Sequence, residues 1–267
     1  MPELPHVEVA RRYVDATSLH RPIEHVRLRD PSLLGEASRQ RLAANLVGDC
    51  FTATHRHGKL LGVSTERDGC LVLHLGMSGE LVAFADAAKE PEHSALLVAF
   101  DDGFHLAFEN PRRLGRVDWT ADFDSFVEAE DLGPDALGIE RRRFRRILEG
   151  RRGAIKPLLM DQQVLAGIGN EYADEVLFQT GLWPRRTAGE LTDSETEHLY
   201  RNLQRILETA IERRAAPDEM PRSWLLPRRQ SGADCPRCEG EIRRDEIAGR
   251  ATYWCPSCQG DADRSGG

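Results

Sequence analysis

Two groups of residues in this chain could do chemistry. The first is Met1-Pro2-Glu3. Removal of Met1 ahead of the small Pro2 would leave proline as the terminal residue, with its ring nitrogen a secondary amine. An ordinary α-amino group titrates near ~8, far below a lysine, so much of it is neutral and nucleophilic near neutral pH. A neutral amine can attack an electrophilic carbon and form an imine-type covalent intermediate, and Glu3 could carry the proton. Such a start has little specificity by itself, since many ordinary termini read the same way. The second group is Cys235-x2-Cys238 and Cys255-x2-Cys258, sixteen residues apart and four of the chain's six cysteines. This spacing matches one structural Zn²⁺ held by four thiolates in a closed tetrahedral site. Ile242 to Trp254 reads as a β-hairpin turning near Ala248-Gly249. It is too short to bury a core, so metal would supply its folding energy. The alternative, a disulfide framework, is disfavoured because the charged N-terminal stretch is no secretory signal. Cys50 and Cys70 sit in apolar, strand-like runs and read as core.

A third segment, Ile155 to Ala173, reads as helix, glycine-bracketed turn, helix. Gly167 and Gly169 permit positive φ and close backbone approach. The second helix starts at Asn170 with unsatisfied N–H groups, the arrangement of a phosphate site. Arginine is the default cation here, because the chain holds only three lysines, Lys59, Lys89 and Lys156. Lys156 beside this turn is a compact, flexible cation suited to a phosphate; the alternative is a simple helical hairpin.

The elements that must position these residues follow from pattern. A helix is expected from Pro5 to about Ala16 and another over Glu36–Val47. Short apolar strands follow at 59–65, 70–75, 80–84, 95–100 and 104–108, with turns such as Asp68-Gly69 between several of them. Helices are expected at 141–149, 156–165, 170–180 and 193–214, then a proline-rich loop over 215–231. Many short strands with turns suggest an antiparallel sandwich or barrel, and the domain reading is 1–120 this N-terminal β domain, 121–135 a linker, 136–230 a helical domain, 231–260 the zinc finger and 261–267 a disordered tail. No run is long enough to span a membrane. A net charge of −8 argues against a uniformly basic nucleic-acid binder. Yet Arg141–Lys156 carries eight basic residues against one acid, and arginines gather around the zinc module.

The Pro2-Glu3-Leu4-Pro5 start, the His74-Leu75-Gly76-Met77-Ser78-Gly79 run, the Gly167-Ile168-Gly169-Asn170 turn and the Arg250-Ala251-Thr252-x2-Cys255 hairpin together resemble the formamidopyrimidine-DNA glycosylase (Fpg/Nei) family. They occur in one collinear order to about residue 260. The resemblance implies an α+β fold: an antiparallel β-sandwich flanked by helices, a helix-two-turn-helix domain and a C-terminal β-hairpin zinc finger. It implies a bifunctional DNA glycosylase and AP lyase of base excision repair. Such an enzyme flips a damaged base out of the duplex, attacks C1′ through the terminal proline, and cuts the strand by β- and δ-elimination. By position, Pro2 is then the nucleophile, Glu3 the acid/base and Lys59 a phosphate contact that assists catalysis. Lys156, Asn170 and Arg250 match phosphate contacts. Met77, Arg112 and Leu114 match the triad that fills the void left by the flipped base, as apolar wedges do; without the family, Met77 and Leu114 would read as core.

The implied partner is double-stranded DNA with an oxidised purine (8-oxoguanine or formamidopyrimidine) or an abasic site, bound by a monomer with no membrane association. The implied setting is the cytoplasm of a bacterial-type cell, at the nucleoid. Three departures stand out: His6 occupies a position usually held by Glu, Leu114 replaces a usual Phe, and Pro227-Arg228-Arg229-Gln230-Ser231-Gly232 lacks the usual Tyr-Gly-Arg. They keep open an oxidised-pyrimidine or other adduct glycosylase, or a non-catalytic lesion-binding protein.

Overall fold

The computed structural model of the chain describes residues 1–35 and 39–260. Its contacts divide it into two compact units: Met1–Pro2 with His6–Asp131, and Glu3–Pro5 with Leu132 onward. Helix α1 (Leu4–Thr17) is followed by β1 (Ile23–Leu28) and α2 (Arg39–Leu46). The expected start of that second helix at Glu36, like the expected disordered tail at 261–267, lies outside the described residues. Then come β2 (Phe51–His57), β3 (Leu60–Thr65), β4 (Cys70–His74), β5 (Glu80–Phe84), β6 (Ser94–Phe100), β7 (His105–Glu109) and β8 (Arg116–Thr120).

These strands form two four-stranded antiparallel sheets, ordered β1-β6-β7-β5 and β2-β3-β4-β8. Leu61, Val63, Leu71 and Leu73 from one sheet share a buried cluster with Ile23, Leu96, Val98 and Phe108 from the other, and with Val7 and Val14 of α1. Alternation along each strand makes this sandwich, because successive side chains point to opposite faces. Strand β1 was not anticipated. Only its ends are buried and its Glu24, His25 and Arg27 stay at the surface, the polar pattern of an edge strand. The expected linker also holds a helix, α3 (Phe123–Ala129), started by the Asp122 side chain accepting the Ser125 N–H.

The second unit contains α4 (Arg141–Leu148), α5 (Ile155–Met160), α6 (Asn170–Thr180) and α7 (Asp193–Glu212), then β9 (Arg243–Ile247), β10 (Arg250–Trp254) and the short α8 (Pro256–Gln259). Helix α5 ends five residues before the expected 165, because the Gln162 side chain takes over the turn. Its Nε2 donates to the carbonyls of Met160 and Ile168, and its Oε1 accepts the Gly167 N–H. Helix α7 opens with a reciprocal capping box between Thr192 and Glu195. Strands β9 and β10 pair through an Ala248-Gly249 turn with both residues at positive φ, the backbone of a type I′ hairpin. Among the described residues, no helix is long and apolar enough to cross a membrane.

The 215–231 stretch is packed rather than loose. Trp224 belongs to the helical core and Leu225 to the zinc-module core. Glu175 of α6 accepts the Leu226 N–H at 2.8 Å and the Gln179 Nε2 at 2.8 Å. Burial pushes the Glu175 carboxyl up from 4.5 to about 7. A carboxyl raised on folding contributes stability that is complete below its unfolded value and is lost as pH rises through the folded one. Glu175→Gln should therefore gain thermal stability relative to the wild type between pH 5 and pH 8. Melting curves at the two pH values check this, and an unchanged difference would contradict it.

Candidate active site and nucleic-acid interface

Glu3 is fully buried. Its carboxylate accepts three backbone N–H groups at the start of α6: Gly169 at 2.8 Å, Glu171 at 2.8 Å and Tyr172 at 3.2 Å. A helix N-terminus presents orphan donors and the positive end of its dipole, so a carboxylate there is stabilised. The next N–H, that of Leu4, donates to the Gly167 carbonyl at 3.0 Å. Both glycines are needed for this approach. A Cβ on Gly169 would lie 2.5 Å from the Glu3 carboxylate, and one on Gly167, which sits at φ +112°, would strike Leu4 at 2.5 Å. The anion held at this turn is thus the chain's own Glu3. Asn170, first in α6, buries its Oδ1 with no hydrogen-bond partner.

The sequence reading of Lys156 as a phosphate contact is corrected here. Its side chain is 1% exposed, and its Nζ lies 2.7 Å from Asp174 Oδ1. Nζ also donates to Thr252 Oγ1 at 2.8 Å and to the Ala251 carbonyl at 3.1 Å. Arg229 reaches Asp174 Oδ2 at 2.8 Å and lies over the Tyr253 ring at 4.6 Å. Burial draws the Lys156 ammonium down and pushes the Asp174 carboxyl up, and their attraction opposes both. Asp174 thus faces two cations, one on each carboxylate oxygen. A lysine with these partners is internal glue and cannot present its charge to DNA. Arg250, by contrast, is exposed beside the hairpin turn.

Cys235 Sγ lies 3.7 Å from Cys258 Sγ, and Cys238 Sγ lies 3.6 Å from Cys255 Sγ. All four sulfurs fall within 4.8 Å of one another. A disulfide needs about 2.05 Å, whereas a tetrahedron with Zn–S bonds near 2.3 Å has edges of roughly 3.8 Å. Backbone N–H groups of Arg237 and Gly240 point at the Cys235 and Cys238 sulfurs, as thiolate ligands require. The four cysteines fit one Zn²⁺. Cys70 is buried, as expected of a core residue, whereas Cys50 is only half-buried.

In the first unit, Pro2 and His6 are half-buried. Lys59 sits with Gly58, at φ +55°, in the tight turn between β2 and β3. His74 pairs with Leu60 across the next strand. Burial, then the nearby charges of Lys59 and Arg116, hold the His74 imidazole below its ordinary value. It is neutral, and its Nδ1 accepts the Gly76 N–H at 3.1 Å. Met77 is 44% exposed and Leu114 is 54% exposed. They occupy two packed loops, since a Cβ on Gly76 would lie 2.3 Å from the Leu114 carbonyl oxygen. Neither is core, and Arg112 is exposed on the same loop as Leu114. The buried Asn110 side chain accepts the Leu114 N–H at 3.3 Å.

His74, Asn110 and Asp174 were missed from sequence. His74 lay inside a motif already singled out, and its position before Gly76 was the signal; the others carried none.

Three family models match the chain in order. They are the formamidopyrimidine-DNA glycosylase N-terminal domain over residues 1–117, the H2TH domain of the same enzyme over 132–219, and the zinc finger found in FPG and IleRS over 234–260. Formamidopyrimidine-DNA glycosylase of Laribacter hongkongensis is 34% identical over 273 residues, covering 97% of this chain and 100% of the relative. That of Moorella thermoacetica is 35% identical, over 91% of this chain and 94% of the relative. Among solved structures, Lactococcus lactis Fpg in complex with abasic-site DNA superposes with a TM-score of 0.87 at 27% identity, over 97% of this chain and 100% of that one. MutM in complex with DNA containing carbocyclic 8-oxo-G gives the same TM-score, 0.87, and the same identity, 27%, over 97% of this chain and 100% of that one. The chain belongs to the formamidopyrimidine-DNA glycosylase family, and its C-terminal module is a four-cysteine zinc finger.

The hairpin's own core is small: Ile242, Cys235 and Cys255 pack with Leu225 and Phe178. The purified protein should therefore hold one zinc per chain, and its release by a thiol reagent should abolish amide protection over 243–254 while sparing β2 to β4. Hydrogen exchange measures this. Retained protection in the metal-free protein would contradict it.

Proposed function

We propose that this protein is a bifunctional DNA glycosylase and AP lyase of base excision repair that removes oxidised purines, with Pro2 as its nucleophile. The observation that carries the reading is the Glu3 carboxylate fixed on the N-terminus of α6, directly following Pro2 in a chain whose first two modules match the domains of one glycosylase family. The neutral Pro2 nitrogen gives its lone pair to C1′ of the damaged nucleotide. The C1′–N bond breaks, and its electrons leave with the base, which takes up a proton. The Pro2 nitrogen gives up its proton, and its lone pair then expels O4′ as the C1′–O4′ bond breaks; O4′ takes up a proton, the sugar ring opens, and an iminium is left between Pro2 and C1′. Loss of a C2′ proton then expels the 3′ phosphate by β-elimination, δ-elimination expels the 5′ phosphate, and hydrolysis of the iminium frees Pro2. Glu3 acts as the acid/base near the sugar. Its three backbone hydrogen bonds hold it in place, and general acid–base catalysis contributes typically 10²–10⁴-fold.

Lys59, Asn170 and Arg250 grip backbone phosphates in this reading, and Asn170 has its place for this as the first residue of α6. Met77 and Leu114, exposed on paired loops, enter the stack with Arg112 reaching the orphaned base. The zinc finger supplies no reaction step; its cysteines hold the metal that folds the hairpin carrying Arg250. The enzyme would act as a monomer on double-stranded DNA, in the cytoplasm at the nucleoid. The overall acidity of the chain is compatible with this, because phosphate contacts depend on local cations.

The test is a panel of duplexes carrying 8-oxoguanine, formamidopyrimidine, thymine glycol or an abasic site. Oxidised purines should be excised with 3′- and 5′-phosphate ends, and Glu3→Gln should lose at least ~100-fold in rate. Preference for thymine glycol would transfer the reading to oxidised pyrimidines. Binding without strand cleavage on every substrate would leave only a lesion-binding protein.

A further inference from the structure

Lys156 is buried away from solvent, yet it is bound to the part of the chain that presents Arg250. Its Nζ donates to Thr252 Oγ1 at 2.8 Å, and that hydroxyl donates to the Arg250 carbonyl at 3.1 Å. Nζ donates as well to the next carbonyl, that of Ala251, at 3.1 Å, which Arg229 Nη2 also approaches at 3.4 Å. Asp174 holds both cations and accepts the Tyr253 N–H at 3.2 Å. Lys156, Asp174 and Thr252 are each fully buried. Backbone groups of Arg250, Ala251 and Tyr253 are thus tied to α5 and α6 by side chains outside the zinc knuckles. The cysteines fix the base of the hairpin, at Cys235, Cys238, Cys255 and Cys258. The tip of a two-stranded hairpin is otherwise free to flex, because an isolated hairpin is marginally stable at best.

We propose that Lys156, through Thr252 and with Asp174 as its counter-ion, is a positioning residue that holds the Arg250 side chain where it meets a DNA phosphate. This rests on the reading of Arg250 given above. A charged contact delivers its full strength only when its geometry is already set, since ordering a loop on binding consumes part of the interaction energy. Lys156 thereby acts on DNA without touching it. Thr252 is the relay: its hydroxyl accepts from Lys156 and donates to the Arg250 carbonyl.

A double-mutant cycle in the zinc-loaded full chain tests the proposal, with dissociation constants measured for an abasic-analogue duplex across a salt series. Arg250→Ala should weaken binding roughly tenfold and lower the log–log salt slope by about one. Lys156→Met, which leaves Asp174 paired with Arg229, should do much the same with zinc content unchanged. The double variant should bind no more weakly than Arg250→Ala alone. Thr252→Val, close in shape, should reproduce the loss, and Thr252→Ser should restore binding. This second pair carries the test if Lys156→Met does not fold. Additive losses in the double variant would overturn the proposal, as would wild-type binding by both Lys156→Met and Thr252→Val. If Arg250→Ala itself binds like the wild type, the functional reading of Arg250 falls and takes the proposal with it. If Arg250→Ala alone weakens binding, only the proposal falls.

Discussion

A single carboxylate buried on a helix N-terminus sets the conditions for much else in this molecule. Glu3 satisfies three backbone donors at the start of α6 that would otherwise be orphaned in a dry environment, where each unpaired polar group costs ~1–3 kcal/mol. In return the helix fixes where residue 3 lies, and with it the attachment point of Pro2. Both glycines of the turn follow from that contact. Gly167 adopts φ +112°, whereas Gly169 does not have positive φ and is required only for space. A residue with any side chain at 169 would displace the carboxylate that the helix needs.

Helix α6 organises the rest of its unit in the same manner. From Tyr172 to Phe178 every residue is buried, which for an apolar helix would be ordinary. Here two of those residues are acids, and each has a task. Asp174 ties Lys156 and Arg229 to the zinc hairpin, and Glu175 caps the packed segment at Leu226. At the far end, the Phe178 carbonyl accepts Arg237 of the first zinc knuckle at 3.1 Å. Removing one partner of such a buried set is far more damaging than replacing the whole set with apolar residues. The arrangement therefore specifies geometry more than it adds stability.

What was legible in the sequence follows the range of the interactions involved. The zinc site was legible because ligand spacing within two knuckles is local chemistry. The antiparallel β domain was legible because short apolar runs and the turns between them are local signals, whereas a sandwich and a barrel differ only in how the strands pair at long range. Strand β1 escaped because an edge strand with a polar middle carries little apolar signal, and α3 because seven residues between two turns look like a linker. Lys156 was misjudged for a different reason. Its rarity in an arginine-rich chain pointed correctly to a particular role, but its partners, Asp174 and Thr252, lie 18 and 96 positions along. Only the fold shows that its charge is spent internally. Met77 and Leu114 went the other way: the apolar residue types suggested core, and exposure on two packed loops makes them available to a partner.

The central claim is that the amine of Pro2, set in place by Glu3, is the group that bonds to DNA. Borohydride reduction of the protein reacting with an abasic duplex, followed by proteolysis and mass spectrometry of the crosslinked peptide, reads that bond directly. The account predicts the sugar fragment on the α-nitrogen of Pro2, with Met1 absent. Attachment to a lysine such as Lys59, or a retained Met1 in the active protein, would contradict it.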